Sequence, residues 1–333
     1  INAEYMGSSS LSGSTTMKAF LALTFLAALS LVAGADLRHL KPRDIVMPVN
    51  PKYTAQEWQE IYAAQKASPE YYPVFKKGNE PQPEFAGKVH VPLNEPHHRI
   101  TGGSTASRAQ FPWQVALLID DSYFCGGSLI SSRWILTAAH CAGSLYQVIL
   151  GANRLDTDES GSQSVLAIKS IVHNQYDENT INNDIAVIQL PSEVSFTTYI
   201  SPVKLPPSNL GSLAGERVIV SGWGKSSDSS SGISPILRYV DLTVITNAAC
   251  ANIYGNIITS TKICTSTTGG KSTCSGDSGG PLVIQESDGI YTEVGIVSFG
   301  SSAGCQQGYP AAFTRVTSYL SWIESNTDIA IGR

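Results

Sequence analysis

Three segments of the chain carry the residue types that activate a hydroxyl group for nucleophilic attack. Ser278 lies in the segment Cys274–Pro281, where glycines and an acid surround it. Far upstream, His140 is followed directly by a cysteine, and Asp184 opens an apolar run of the kind that forms buried strands. A serine hydroxyl needs a base that takes its proton near neutral pH, and imidazole suits that pH. The three residues therefore predict covalent catalysis by Ser278, with His140 as the base and Asp184 as the partner of the imidazole.

Each of these residues also has a non-catalytic interpretation. The glycines around Ser278 could form only a turn, His140 could be a packed histidine, and Asp184 could cap a loop at a strand end. One other histidine, His173, follows Arg99, and it stands in no comparable segment. The joint occurrence of the three residue types, each in its own motif, favours the catalytic interpretation.

The motifs Thr137–Cys141, Asn183–Val187 and Cys274–Pro281 resemble those of the chymotrypsin–trypsin family of serine endopeptidases, and of a chymotrypsin-like member in particular. The resemblance implies hydrolysis of peptide bonds through an acyl-enzyme by the triad His140, Asp184 and Ser278, without a cofactor or a metal. It also implies an oxyanion hole built from the backbone N–H groups of Gly276 and Ser278. One such donor is worth roughly 2.7–4 kcal/mol in the transition state.

The elements that must position these residues are short. Between Phe111 and Val316, apolar and β-branched runs alternate with Gly, Ser, Asn and Pro, which is typical of an all-β barrel. These runs include residues 114–119, 147–150, 165–172, 217–220, 239–245 and 293–299. The resemblance extends from residue 100 to about residue 326 and implies two antiparallel six-stranded β-barrels with the triad in the cleft between them. The predicted fold class is all-β, with one C-terminal α-helix at Thr317–Asn326.

The first 99 residues differ in composition from the rest of the chain. Residues 1–16 are rich in Ser, Gly and Thr and predict a low-complexity segment upstream of the true start. Residues 17–35 have a basic start, an apolar run too short for a comfortable membrane span and small residues at the end, which predicts a signal peptide and a secreted protein. Residues 36–99 are rich in proline and predict a propeptide, so that residues 100–333 form the serine protease domain.

All six cysteines lie between Cys125 and Cys305, and a secreted chain predicts that they form disulfides. Six cysteines allow 15 connectivities, and spacing alone favours only the pair of Cys125 with Cys141. The family resemblance implies the two further pairs Cys250–Cys264 and Cys274–Cys305. A metal site is the alternative, but the chain has no Cys-x-x-Cys pair and few histidines.

The junction of Arg99 with Ile100 resembles the activation site of the family. A trypsin-like protease would cut after Arg99, and the resemblance implies that the new ammonium group of Ile100 pairs with Asp277 and so orders the oxyanion hole. The uncut precursor is then nearly inactive. The alternative interpretation of this junction is a flexible linker with an incidental arginine.

The resemblance also implies where the substrate side chain binds. Ser272, six positions before the nucleophile, lies at the floor of the primary pocket, where a trypsin-like member has Asp. Ser298, Phe299 and Gly300 resemble the strand that pairs with the substrate backbone, and Ala311 replaces a frequent Gly on the pocket wall. These residues imply chymotrypsin-like cleavage after Tyr, Phe and Leu. Elastase-like cleavage after Ala or Val is the alternative.

Composition limits the partners. The chain of 333 residues is 42% hydrophobic and only 15% charged, with a net charge of −5 and no Lys/Arg cluster, which excludes nucleic acid. The expected partners are protein or peptide substrates, an activating trypsin-like protease and protein protease inhibitors, and we expect a monomer that binds no membrane. A non-catalytic homologue that binds partners through the same fold is the alternative, and the complete triad disfavours it. The absence of an additional cysteine-rich module favours a digestive role over activation of another zymogen.

Overall fold

A computed structural model of the chain describes residues 101–120, 122–230 and 232–331. The predicted low-complexity segment, signal peptide and propeptide, together with Arg99 and Ile100, lie outside these residues. The strands of the described part are β1 (Ser104–Thr105), β2 (Gln114–Ile119), β3 (Tyr123–Leu129), β4 (Trp134–Thr137), β5 (Tyr146–Leu150), β6 (Gln163–Ala167), β7 (Lys169–Val172), β8 (Ala186–Gln189), β9 (Arg217–Gly222), β10 (Arg238–Ile245), β11 (Lys262–Ser266), β12 (Pro281–Gln285), β13 (Tyr291–Phe299) and β14 (Ala311–Arg315).

The N-terminal sheet has the antiparallel strand order β6-β5-β2-β3-β4-β8-β7. Its two edge strands, β6 and β7, are consecutive in the chain and are separated only by Ile168. The chain itself therefore passes from one edge of the sheet to the other and closes it into a barrel. With β6 and β7 counted as one interrupted strand, this barrel has the six strands that were predicted.

The C-terminal sheet closes through hydrogen bonds. Its order is β10-β11-β14-β13-β12-β9, and β9 pairs back with β10 to complete a ring of six strands. The short strand β1 adds to the free side of β10, where Ser104 lies opposite Tyr239. The start of the described chain is thereby attached to the C-terminal barrel, and the predicted fold class is confirmed.

Apolar side chains of the strands fill each barrel. The inner residues of the N-terminal barrel include Val115, Leu117, Val148 and Val187, and those of the C-terminal barrel include Val218, Val220, Leu282 and Phe313, all fully buried. Strand β2 is buried along almost its whole length because it packs on both faces, which explains its continuous apolar run.

Side-chain hydrogen bonds between buried strand residues are among the contacts that connect the barrels. Ser128 on β3 donates a hydrogen bond to Oε2 of Glu293 on β13 at 2.5 Å, and Ser221 on β9 donates to Oε1 of Gln114 on β2 at 2.5 Å. All four residues are buried. The interface between the barrels is therefore partly polar, and its hydrogen bonds fix how the two halves meet.

Two α-helices accompany the strands in the described residues. Helix α1 (Asn247–Tyr254) follows β10, and the Thr246 side chain caps it by accepting a hydrogen bond from the N–H of Ala249. Helix α2 (Leu320–Asn326) continues a 3₁₀ turn at Val316–Tyr319, so the predicted C-terminal helix begins with a tighter first turn.

No helix within the described ranges has the length and apolarity that crossing a membrane requires.

Candidate active site

His140 lies in a short 3₁₀ turn, Ala139–Cys141, directly after β4. A disulfide joins Cys141 to Cys125 on β3, so the turn is tied covalently to a neighbouring strand. The His140 side chain is 28% exposed, whereas the side chain of Asp184 is fully buried. The imidazole is therefore open to a substrate on one side and bound to a buried acid on the other.

Two hydrogen bonds join His140 to Asp184. Nδ1 of the imidazole lies 2.8 Å from Oδ2, and the His140 backbone N–H donates to Oδ1 at 3.0 Å. The hydroxyl of Ser298 donates to the same Oδ2 at 2.6 Å. Burial by itself would raise the pKa of Asp184, but the hydrogen bonds from His140 and Ser298 outweigh it and lower this pKa. Asp184 is thus a carboxylate that holds the Nδ1 proton and leaves Nε2 as the proton acceptor.

Ser278 lies in the turn between β11 and β12 and is half-buried. Its carbonyl accepts a hydrogen bond from Gly126 on β3 at 2.7 Å, which holds the turn against the N-terminal barrel. Gly279 has a φ of +76°, and a Cβ there would lie 2.2 Å from Oγ1 of Thr137, so this position requires glycine. In the described part of the chain no hydrogen bond joins the Ser278 hydroxyl to His140. Such contacts are often long in the free enzyme and shorten when substrate binds.

The oxyanion hole was predicted at two backbone N–H groups, those of Gly276 and Ser278. Over the described ranges, the N–H groups of Gly276 and Ser278 donate to no acceptor of the protein. Gly276 has a φ of +97°, and a Cβ at this position would lie 2.7 Å from Cγ2 of Ile233. The turn therefore presents two unused donors to a ligand, in a backbone conformation that glycine permits.

Asp277 is fully buried beside the nucleophile. Its carboxylate accepts hydrogen bonds from the N–H groups of Gly224 at 2.8 Å and Cys274 at 2.9 Å. A Cβ at Gly222 or Gly224 would lie 2.3 Å from a carboxylate oxygen, so both glycines make room for it. Burial raises the pKa of Asp277 to about 6, against these two hydrogen bonds. A buried acid of this kind is stabilised by a nearby cation.

The residues predicted to line the substrate pocket lie at different depths. Ser272 and Ala311 are buried, with Ala311 on β14 opposite Thr265. Gly300 is exposed, and a Cβ there would meet nothing within 4 Å. The Phe299 ring is half-buried and packs edge-on against Tyr254 of α1, with ring centroids 5.4 Å apart. The side chain of Ser298 binds Asp184, and its backbone lies in the strand end that was predicted to pair with the substrate backbone.

Thr101 was not predicted as a site residue, and the structure places it against the pocket segment. Its hydroxyl donates to the carbonyl of Ser272 at 2.9 Å, and the Ser272 N–H donates to the Thr101 carbonyl at 3.2 Å. Thr101 is fully buried. Thr101, which directly follows Ile100 in the sequence, is therefore held against Ser272. Ser272 in turn precedes Asp277 by five positions.

All six cysteines form disulfides, which join the pairs Cys125–Cys141, Cys250–Cys264 and Cys274–Cys305. These are the pairs that the resemblance implies. The first holds the histidine turn, the second ties α1 to β11, and the third connects the serine segment to the loop before β14.

The structure also reveals supports of the triad that no local motif could indicate. Thr314 on β14 donates to the Asp184 carbonyl at 2.8 Å, and the Tyr319 hydroxyl donates to Oδ1 of Asn183 at 3.0 Å. Both donors belong to the C-terminal half of the chain and are more than a hundred residues from their acceptors, with separations of 130 and 136. Only the packing of the two barrels brings them together.

Comparison with known proteins agrees with this geometry. The family model described as Trypsin matches residues 100–323. Brachyurin from Leptuca pugilator is 49% identical over 232 residues, which cover 69% of this chain and 99% of that protein. Trypsin I-P1 from Gallus gallus is 40% identical and covers 70% of this chain and 90% of the relative. A solved structure of HL collagenase superimposes with a TM-score of 0.62 at 40% identity, over 69% of this chain and 99% of that one. The chain therefore belongs to the trypsin family of serine proteases.

Proposed function

We propose that residues 100–333 form a secreted endopeptidase in which Ser278 is the nucleophile, His140 the general base and Asp184 the residue that orients the imidazole. The observation that carries this proposal is the partly buried contact of 2.8 Å between Nδ1 of His140 and Oδ2 of Asp184. It fixes the tautomer in which Nε2 accepts a proton. Signal peptide 17–35 and propeptide 36–99 belong to the same proposal.

In the proposed reaction Oγ of Ser278 attacks the carbonyl carbon of the peptide bond while its proton moves to Nε2 of His140. The resulting imidazolium is stabilised by the carboxylate of Asp184, and the unused N–H groups of Gly276 and Ser278 bind the negative oxygen of the tetrahedral intermediate. His140 then gives the proton to the leaving amine, which leaves an acyl group on the serine. A water molecule releases the acyl group by the same steps in reverse order.

We propose chymotrypsin-like cleavage after Tyr, Phe and Leu. Some relatives are named trypsins, but the pocket floor predicted here is Ser272, a residue without a carboxylate for Lys or Arg. The open mouth at Gly300 supports large side chains, whereas the methyl group of Ala311 shortens the pocket and keeps elastase-like cleavage after Ala as the second candidate. Values of kcat/KM on matched peptides ending in Phe, Leu, Ala and Arg test this, and Arg as the fastest substrate would contradict it.

We further propose activation by cleavage between Arg99 and Ile100. The buried Asp277 supports this, because it accepts two hydrogen bonds and lies next to Ser278, where a cation would stabilise it. Thr101 supports it too, since it is buried and hydrogen-bonded to Ser272, which precedes Asp277 by five positions in the sequence.

The test of the catalytic assignment is Ser278→Ala in the full chain after activation. We expect kcat to fall by at least about 10³-fold, because the triad acts as a unit in catalysis. The thermal unfolding temperature should not change. Ser275→Ala, an exposed serine of the same segment, is the matched control and should remain active. A serine-directed phosphonate should label the wild type and not the Ser278→Ala protein. Near-normal turnover by the latter would refute the assignment, and absence of both turnover and labelling in the wild type would favour the non-catalytic homologue.

A further inference from the structure

Lys262, the first residue of β11, is a lysine whose whole side chain is buried. Its ammonium group donates a hydrogen bond to the carbonyl of Ile181, and its Nζ lies 5.6 Å from the centre of the Phe299 ring. In the described part of the chain it forms no ion pair with a carboxylate. Burial lowers the pKa of Lys262 to about 8, although the nearby charge of Asp184 raises it. Lysines are almost never fully buried without a partner, so a specific role of this side chain is expected.

The acceptor of Lys262 lies in the strained turn that precedes Asp184. Ile181 has a φ of +55°, which is rare for a β-branched residue, and Asn183 has the same value. The turn is closed by the hydrogen bond from Asp177 to the carbonyl of Asn182 at 3.1 Å. Such backbone conformations persist only where the surroundings hold them in place.

The C-terminal half supplies four side-chain hydrogen bonds that hold this turn and the aspartate. Three come from the neutral hydroxyls of Ser298, Thr314 and Tyr319, which bind Asp184 or Asn183. The fourth comes from Lys262. It is the one cationic donor of the four, and it binds the backbone at the strained residue itself.

We propose that Lys262 is a positioning residue, whose ammonium holds the Ile181 carbonyl and thereby fixes the turn that presents Asp184 to His140. Its charge also interacts with Asp184, because the negative charge of that carboxylate raises the pKa of Lys262 against burial. The other titratable or charged side chains in this region are those of Tyr319, which lies beside Asn183, and Arg315, which binds the Lys262 carbonyl. Asp177 belongs to the turn itself, and the pKa of Tyr176 is raised by burial and by the charge of Asp184. This inference rests on the proposed triad.

Three substitutions separate the hydrogen bond from the charge. Lys262→Met keeps an unbranched side chain, one atom shorter, but removes both. Lys262→Gln keeps an N–H donor without the charge, and Lys262→Arg keeps both. We expect Lys262→Met to lower kcat by about tenfold or more with KM changed by less than about threefold. The lost hydrogen bond acts on the turn before Asp184, whereas at the predicted pocket Lys262 only lies over the Phe299 ring. Lys262→Gln and Lys262→Arg should recover most of kcat.

The pH profile gives a readout that a merely structural role would not move. In Lys262→Gln the acidic limb of kcat/KM should shift to higher pH, because the positive charge that interacts with Asp184 is gone, whereas Lys262→Arg should keep the wild-type limb. Lys169→Met, at an exposed lysine of β7, is the matched control and should leave both kcat and the limb unchanged. All rates are divided by the fraction of chains that a serine-directed phosphonate labels.

The results distinguish failure of the positioning role of Lys262 from failure of the proposed triad. A Lys262→Met protein with wild-type kcat and pH profile per labelled site would overturn the positioning role, and so would a loss of thermal stability alone. If Lys262→Met does not fold, the Lys262→Gln profile decides, and an unshifted acidic limb overturns the proposal. A wild type that is not labelled at Ser278 would instead refute the proposed triad itself.

Discussion

At the scale of single residues, the charge of Asp184 depends on hydrogen bonds and not on water. The carboxylate is fully buried, and its contacts with His140 and Ser298 keep its pKa low despite that burial. A buried carboxylate that is held in this way can fix one imidazole tautomer throughout the reaction.

Asp184→Asn should therefore lower kcat by about 10³–10⁴-fold at neutral pH. The amide has nearly the same shape, but its NH₂ group can donate to Nδ1 and so favour the wrong tautomer. We expect little change in the thermal unfolding temperature. Measurement of kcat checks the loss of activity, and calorimetry of the same preparation checks the unfolding temperature. A kcat within tenfold of the wild type would show that Asp184 does not set the tautomer.

At the scale of secondary-structure elements, Glu293 connects β13 to β3 across the barrel interface. Burial raises its pKa to about 8, against the hydrogen bond from Ser128, and its Oε1 has no hydrogen-bond partner among the described residues. The folded protein therefore binds a proton that the unfolded chain releases near pH 4.3. The stability that this group contributes is complete below that pH and is lost as the pH rises through about 8.

Glu293→Gln should remove this loss, since an amide resembles the protonated carboxyl group and does not ionise. We expect the variant and the wild type to unfold at similar temperatures near pH 4, and the variant to be more stable by several °C above pH 8. Thermal unfolding across this pH range is the measurement. Parallel curves for the two proteins would mean that Glu293 has no shifted pKa.

The sequence predicted those elements that carry a local signal. The motifs around His140 and Ser278 are contiguous, and the apolar runs of the central strands are long enough to predict strands. Helix α1 was missed because it has no apolar stripe and only Cys250 is buried in it. The run at residues 165–172 predicts one strand, but in the structure Ile168 interrupts it between β6 and β7.

The supports of the aspartate could not be predicted for a different reason. The hydrogen bond from Ser298 to Asp184 spans 114 residues of sequence, and that from Lys262 to Ile181 spans 81. Each of these hydrogen bonds joins one barrel to the other, so it depends on how the barrels pack. Neither of the two sequence segments that it joins carries a periodic pattern that would predict it.

At the scale of the whole molecule, the proposed activation would supply a cation for the buried carboxylate of Asp277. Its carboxylate is buried, and its pKa is raised to about 6 mainly by that burial. Above this pH an uncut chain must bury an anion, whereas a cut chain supplies the ammonium group of Ile100. In the uncut chain the stability that protonated Asp277 contributes is thus complete below about pH 4 and is lost as the pH rises through about 6.

Arg99→Gln, which cannot be cut by a trypsin-like protease, should stay nearly inactive and should unfold at a lower temperature than the cut wild type at pH 7. The difference should shrink toward pH 4, where Asp277 is protonated and needs no cation. Terminal sequencing of the active wild type should find Ile100, and its activity should decline at alkaline pH as that amine, with an ordinary pKa of ~8, loses its proton. An active Arg99→Gln protein would contradict the proposed activation.

Each of the three disulfides lies within one half of the molecule, so in the described part no covalent bond other than the main chain joins the barrels. His140 and Asp184 belong to the first half and Ser278 to the second. A chain divided between β8 and β9 would therefore yield two fragments, each with its own disulfides and neither with a complete set of reactive groups. Peptide hydrolysis by such a pair would report that the fragments had met, which makes this fold a natural starting point for a two-part protease reporter of protein association.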